Sequence, residues 1–117
     1  MSFKDHIQSF ETLESTMAEA LKAAQAGAPE GTTIVAATQS DGRGRRGRTW
    51  HSPKGGGLFA TTVVYPKCPR EKAHQLSLVT GIAIHQSLIE LGAGGAKLKW
   101  PNDILVNDRK LCGILLE

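Results

Sequence analysis

The stretch from residue 32 to residue 65 decides the fold: Thr32-Thr-Ile-Val-Ala-Ala-Thr38, a long loop, and then Leu58-Phe-Ala-Thr-Thr-Val-Val-Tyr65. Both segments are rich in β-branched and aromatic residues and are too short for typical helices, so they predict two strands. Pro66 and Pro69 end the second strand, because proline cannot donate to a strand ladder. The loop that connects the strands occupies residues 39–56.

One helix is predicted before this pair of strands in the sequence, and another after it. Thr16-Met-Ala-Glu19 matches a capping box with Thr16 as the cap, and Gly27 and Pro29 end that helix about three turns later. A longer helix is predicted from Glu71 to Leu91, and its apolar stripe should lie on the sheet. The stripe comprises Leu76, Val79, Ile82, Ala83, Leu88 and Leu91.

Residues 97–116 predict an antiparallel hairpin. Lys97-Leu-Lys-Trp100 alternates, Pro101 interrupts the pattern, Ile104-Leu-Val106 resumes it, and Asn107-Asp108 forms a two-residue turn into the last strand. Together the elements indicate an α+β fold in which helices pack on a mixed sheet. The length of 117 residues predicts one domain that spans residues 1–117.

The composition is that of an ordinary globular protein, with 40% hydrophobic and 21% charged residues. No apolar stretch approaches the roughly 18 residues that span a bilayer, and the first residues lack a secretory signal, so we predict a cytoplasmic protein with no membrane partner. Cys68 and Cys112 are too far apart for a redox pair or a zinc cluster and are predicted to be free thiols. The histidines have no metal-ligand spacing, so no metal ligand is assigned.

Positive charge is concentrated in the loop between the strands. The formal net charge is +3, but four arginines stand within six residues, and the rest of the chain has ten basic against eleven acidic residues. Polynucleotide-binding proteins usually spread their cations over a broad track. In Gly42-Arg-Gly-Arg-Arg-Gly-Arg48 guanidinium groups alternate with glycines that let the backbone approach a ligand, which favours a small carboxylate or phosphate. A mobile, solvated loop is the alternative.

Lys99-Trp-Pro-Asn-Asp103 is the second candidate for chemistry. A lysine at the end of a buried strand is suited to neutralising negative charge in a pocket. The alternative is a simple strand end, with proline as the breaker and Asn-Asp as a turn.

The order of these motifs closely resembles the biotin protein ligase family. The matching residues are Ser15-Thr16, Gln39, Gly42-Arg-Gly-Arg-Arg-Gly-Arg-Thr-Trp50, Ser52-Pro53, Gly57-Leu58, Lys99-Trp-Pro-Asn-Asp103 and Lys110-Leu-Cys-Gly-Ile114. This resemblance runs along nearly the whole chain. It implies the fold related to class II aminoacyl-tRNA synthetases, with a mixed sheet and packed helices.

The resemblance also implies a two-step, ATP-dependent reaction. Biotin and ATP with Mg²⁺ would give biotinoyl-5′-AMP and pyrophosphate, and the biotinoyl group would pass to a lysine of a biotin carboxyl carrier protein. We expect no nucleic-acid partner, and a homodimer is left open.

The family pattern implies roles for individual residues. The predicted biotin-binding set is Ser15, Thr16, Gln39, Arg43, Gly44, Arg45 and Lys99, of which the first three would surround the ureido ring. The predicted nucleotide-binding set is Arg43, Arg45, Arg48, Trp50 and Asn102. Arg45 and Lys99 are the predicted catalytic residues: Arg45 would retain the adenylate, and Lys99 would reach the biotin carboxylate and the α-phosphate. For Trp50, a place in the core is the alternative to packing beside the adenylate base.

Three features depart from the family pattern. Met17 stands where the family often has Asn, so one polar contact to biotin is expected to be absent or supplied by the backbone. The space before Phe3 is too short for a winged-helix DNA-binding domain, so no repressor role is expected. The family core continues beyond Glu117, so we expect a truncated domain that is inactive alone. The alternative functions are a lipoate ligase of the same architecture and a nucleic-acid-binding module that uses Arg43 to Arg48. We call residues 42–48 the arginine loop.

Overall fold

The computed structural model describes the backbone of residues 3–117 and the side chains from Asp5 onward. Its helices and strands are β1 (Ile7–Leu13), α1 (Thr16–Gln25), β2 (Thr33–Gln39), β3 (Phe59–Thr62), α2 (Gln75–Glu90), β4 (Lys97–Lys99), β5 (Asp103–Val106) and β6 (Arg109–Gly113). Short 3-10 turns occupy Phe3–His6, Arg45–Gly47 and Arg70–Lys72. The chain divides into two compact units, Met1–Pro66 and Lys67–Glu117.

The first unit contains a mixed three-stranded sheet in the order β1-β2-β3. Strand β2 is parallel to β1 and antiparallel to β3. The two predicted strands are therefore confirmed as β2 and β3, although β3 ends at Thr62. The sequence pattern did not predict β1, because this strand is exposed along most of its length and lacks a clear apolar alternation.

Helix α1 covers one face of this sheet, but its cap differs from the prediction. Ser15 is the N-cap, and its hydroxyl accepts a hydrogen bond from the Ala18 N–H at 3.3 Å. The predicted cap, Thr16, is wrong because its hydroxyl pairs with that of Thr61 instead. Glu19 forms an ion pair with Lys22 rather than closing a capping box. Buried Ala20, Ile34 and Val63 form the core beneath the helix, with Phe10, Leu13 and Ala24 packed around them.

The second unit contains an antiparallel sheet in the order β4-β5-β6. Asn107 and Asp108 both have left-handed backbones, with φ of 51° and 61°. These angles match the two central residues of a type I′ turn, so the predicted two-residue hairpin is confirmed.

Helix α2 packs against β4 and β5, but only part of its apolar surface is covered. Gly81 is the buried residue of α2. Because it has no side chain, the side chains of Leu98 and Ile114 can pack close to the helix there. In contrast, Val79, Ile82 and Leu91 are 61%, 49% and 83% exposed. Ala83 is exposed as well, so the prediction that these four residues belong to a buried stripe is wrong for the described chain. Because α2 is apolar on more than one side, periodicity alone could not select the face that packs on the sheet.

Replacing Asp108 with glycine should raise the free energy of unfolding by about 0.5–1 kcal/mol, because glycine adopts a left-handed backbone without the penalty of a Cβ. Urea denaturation followed by circular dichroism measures the change. Asp108→Ala is the matched control and should lower stability. Equal stability of the two variants would contradict the assignment of the turn.

Candidate functional site

Three polar residues meet where the parallel strands β1 and β2 end. Leu13 and Gln39 are register partners at this edge, and Ser15 and Thr16 follow directly after β1. The Thr16 N–H donates to Gln39 Oε1 at 2.7 Å. Ser15 and Thr16 are only 5% and 4% exposed. The structure thus brings together the three residues that were predicted to surround the ureido ring. We call this largely buried group of Ser15, Thr16 and Gln39 the polar cluster.

Thr61 lies beside this cluster, and no sequence motif indicated it. Its hydroxyl lies 2.8 Å from the Thr16 hydroxyl, and either group can donate. A hydroxyl both donates and accepts, so Thr61 helps to decide whether the Thr16 proton faces a ligand or its neighbour. In the sequence, Thr61 is a polar residue in a strand that mixes apolar and polar residues, and nothing else indicates its role.

The arginine loop begins at the same edge and folds back on itself. The N–H groups of Ser40 and Asp41 donate to the carbonyls of Leu13 and Glu14, which anchors the start of the loop to the segment that precedes α1. Beyond this anchor, residues 42 and 44 bond to residues 50 and 48 across a narrow ladder, and residues 43 and 49 form a bridge. The loop in the structure is therefore a closed turn with a defined base.

The tip of this turn presents the arginines to solvent. Arg45 begins the 3-10 turn, and Arg46 has a left-handed backbone with φ of 57°. The predicted anion-binding arginines, Arg43, Arg45 and Arg48, are all exposed, as is Arg46. Trp50 is half-buried at the base, where its main-chain N–H donates to the Gly42 carbonyl at 2.8 Å. The arrangement leaves the guanidinium groups accessible to an anionic ligand.

Gly42 lies very close both to the base of the arginine loop and to the polar cluster. A Cβ at Gly42 would lie 2.7 Å from the Trp50 carbonyl oxygen and 3.0 Å from Gln39 Nε2. A side chain here would have to displace either the loop base or the Gln39 amide. Gly44 is different, because a Cβ there would meet Arg48 atoms only at 3.5 Å and 3.6 Å.

Gly42→Ala should therefore lower the free energy of unfolding by about 1–3 kcal/mol, the range for overpacking at a tight site. Gly44→Ala is the matched control and should change it by no more than about 0.5 kcal/mol. Chemical denaturation of both variants is the measurement. If Gly42→Ala were as stable as Gly44→Ala, the loop base would not be held as closely as described.

Lys99 and Asn102 lie in the second unit. Lys99 ends β4, which was expected to be a buried strand but is exposed at all three positions, because β4 is an edge of its sheet. Trp100 is 78% exposed. Asn102 is half-buried. Its side-chain Nδ2 donates to the Ile114 carbonyl at 2.9 Å, and its main-chain carbonyl accepts from the Ile114 N–H. Its amide therefore supports the end of β6, a role that the nucleotide-binding prediction did not include.

Next to Lys99, the sheet carries an ion pair. Lys110 Nζ lies 3.0 Å from Asp103 Oδ1. Burial raises the pKa of the neighbouring Cys112 thiol, and the Asp103 carboxylate raises it further, while Lys110 opposes them. Cys68 and Cys112 are free thiols, as predicted, and the raised pKa keeps Cys112 protonated near neutral pH.

Neither a metal cluster nor a membrane span is found in the described part of the chain. Within residues 3–117 no three His, Cys, Asp or Glu side chains are grouped as a metal site. None of the helices described has the length and apolar character required to cross a bilayer.

Comparison with known proteins decides the family. Residues 9–117 match the model of the biotin/lipoate A/B protein ligase family. The chain belongs to this family. It is 41% identical over 112 residues to the bifunctional ligase/repressor BirA of Bacillus subtilis, a match that covers 96% of this chain and 34% of that protein. It is 44% identical over 107 residues to the biotin--[acetyl-CoA-carboxylase] ligase of Paracoccus denitrificans, with coverage of 89% and 43%.

A solved family member has the same fold. The structure of biotin protein ligase from Leishmania major in complex with biotinyl-5-AMP superimposes with a TM-score of 0.79 and 35% identity, and the match covers 94% of this chain and 51% of that one. The predicted family and its mixed α/β fold are thereby confirmed. The chain spans between a third and about half of the length of these relatives.

Proposed function

We propose that this chain carries the biotin-binding part of an ATP-dependent biotin–protein ligase. The observation that carries the proposal is the polar cluster, in which Thr16 and Gln39 are linked at 2.7 Å directly beside the arginine loop. A ureido ring has one carbonyl and two N–H groups, and a buried site must satisfy all of them. The cluster offers hydroxyl and amide groups for this purpose, and the relatives named as biotin ligases support the choice of ligand. Residues 1–117 would then be part of one catalytic domain.

In the first step, a carboxylate oxygen of biotin attacks the α-phosphorus of ATP. A new oxygen–phosphorus bond forms, the bond from the α-phosphorus to the bridging oxygen breaks, and pyrophosphate leaves with the electron pair. The two reactants are both anions, so cations must offset their repulsion. We assign this role to Arg43, Arg45 and Lys99, with Gly44 giving the ligand room to reach the backbone and Arg48, Trp50 and Asn102 completing the nucleotide site.

In the second step, the amine of an acceptor lysine attacks the acyl carbon of biotinoyl-5′-AMP. An amide bond forms, the acyl–oxygen bond breaks, AMP leaves with the electron pair, and the amine gives up a proton. The acceptor would be a biotin carboxyl carrier domain. An arginine loop closed over the adenylate would exclude water until this domain arrives.

We propose that Mg²⁺ binds to this chain only together with the triphosphate of ATP. Magnesium is commonly bound through one or two carboxylates together with substrate phosphates. The described residues hold no cluster of three metal-ligating side chains, and Asp103 is already paired with Lys110. We therefore treat the metal as part of the substrate, MgATP.

Biotin-dependent exchange of labelled pyrophosphate into ATP tests the proposal. The assay should use both the 117-residue chain and the product of the complete reading frame. We expect exchange from the complete product and none from the chain alone. Failure of the complete product to exchange would refute the proposal. Nucleotide sequence beyond codon 117 would establish what that product contains.

Competition binding separates biotin from lipoate, the substrate of the other ligase named for this family. Lipoate lacks the ureido ring, so it should not displace biotin from the polar cluster at comparable concentration. Equal competition would favour a lipoate ligase. The exposed arginines also permit a nucleic-acid-binding alternative, and RNA binding that falls steeply with salt would support it. Sedimentation analysis would test for a homodimer.

A further inference from the structure

One face of the second sheet carries three lysines. Lys99 and Lys110 have been described above, and Lys97 has not yet been given a role. In β4, Lys97 and Lys99 are two residues apart and so point to the same face. Their register partners on β5 are Leu105 and Asp103, and Leu105 pairs in turn with Lys110 on β6. Directly paired residues share a face of the sheet. Lys97, Lys99 and Lys110 therefore form what we call the lysine face.

The opposite face is the one that α2 covers. There Leu98 and Ile114 approach Gly81, and Ile104 is completely buried. The lysine face is thus turned away from the apolar packing of this unit. This face also carries Asp103 and Leu105, and β4, an edge strand of only three residues, contributes two of its cations.

Charge on the lysine face is only partly balanced. Asp103 is bound by Lys110 at 3.0 Å. Lys97 and Lys99 are exposed and have no ion pair in the part of the chain that the structure describes. They leave two neighbouring positive charges on one strand, with their Cα atoms about 6.8 Å apart from the rise of an antiparallel strand. Two like charges held at such a spacing favour an extended anion with several charges over a single carboxylate.

We propose that Lys97 binds the β- and γ-phosphates of ATP and the pyrophosphate that leaves. The inference rests on the proposed function, in which Lys99 reaches the biotin carboxylate and the α-phosphate. Beyond the α-phosphate the triphosphate continues as a chain of anions, and Lys97 is the next cation on the same face. As the bond to the α-phosphorus breaks, negative charge grows on the departing pyrophosphate, which a cation at this position stabilises.

The test compares Lys97→Gln with Arg109→Gln in the product of the complete reading frame. Both substitutions remove one exposed positive charge from this sheet, but Arg109 pairs with Val106 and therefore lies on the opposite face. The readouts are the KM for ATP and the inhibition constant of pyrophosphate in adenylate synthesis. For Lys97→Gln we expect both constants to rise about tenfold, the effect of losing one charge-assisted hydrogen bond. The KM for biotin and all constants of Arg109→Gln should stay within about twofold of the starting protein.

A second variant separates charge from fold. Lys97→Arg keeps the charge and should hold the ATP and pyrophosphate constants within about threefold. Unchanged constants in Lys97→Gln would overturn the inference, as would a change confined to the KM for the carrier protein, which would make the lysine face a docking surface. A Lys97→Arg defect as large as that of Lys97→Gln would also overturn it. Absence of biotin-dependent exchange in the unsubstituted protein would instead refute the proposed function.

Discussion

In the product of the complete reading frame, the proposed carrier-specific ligase, replacing Arg45 with glycine is expected to give an enzyme that biotinylates accessible lysines indiscriminately. Arg45 stands at the exposed tip of the closed arginine loop, and its side chain has no hydrogen bond or ion pair in the described part of the chain. Its loss should therefore leave the fold intact. Without the guanidinium, the adenylate phosphate would lose the bidentate partner proposed for it, and the reactive intermediate would escape before the carrier arrives.

Mass spectrometry of a mixture of carrier and unrelated proteins, incubated with biotin and ATP, measures this effect. Arg46→Gly is the matched control, because it removes the same charge one residue away. Glycine also suits the left-handed backbone at that position, with φ of 57°. We expect the control to label only the carrier. Labelling by Arg45→Gly that is as selective as that of the unsubstituted protein would show that Arg45 does not retain the adenylate.

In the product of the complete reading frame, replacing Lys99 with methionine should slow the proposed adenylate formation by about 100-fold to 1000-fold, the usual cost of removing one group that stabilises developing charge. The loss should appear in kcat, because Lys99 is proposed to act on the transferring group. Lys99 is exposed at the end of an edge strand, so the fold should tolerate the change. The measurement is single-turnover formation of the adenylate.

Arg109→Gln serves again as the control for a lost surface charge on the same sheet. Its rate should remain close to that of the unsubstituted protein. A Lys99→Met variant with unchanged kcat would remove Lys99 from the catalytic residues. If only the KM for ATP rose, Lys99 would be a binding residue like the one inferred at Lys97.

The site could be predicted from the sequence only where its residues form ordered motifs. Ser15, Thr16 and Gln39 were selected through the family resemblance, and the structure places them at one sheet edge. Thr61 was not selected, because its role depends on a hydroxyl 45 residues away in the chain. The lysine face was also not predicted, since it follows from strand register rather than from any local pattern.

Local chemistry in the sequence determined the hairpin turn and the C-terminal end of α1. Asn107 and Asp108 tolerate left-handed backbones and fix a two-residue hairpin, and Gly27 with Pro29 ends α1. Tertiary structure decided which groups meet. A shift in register between Ile104 and Leu105 places Cys112 opposite Ile104, where uninterrupted alternation from the turn would have placed Leu111. Side chains on a strand change face with each residue, so one extra residue reassigns every position beyond it, and no pattern within the strand itself reveals where that residue lies.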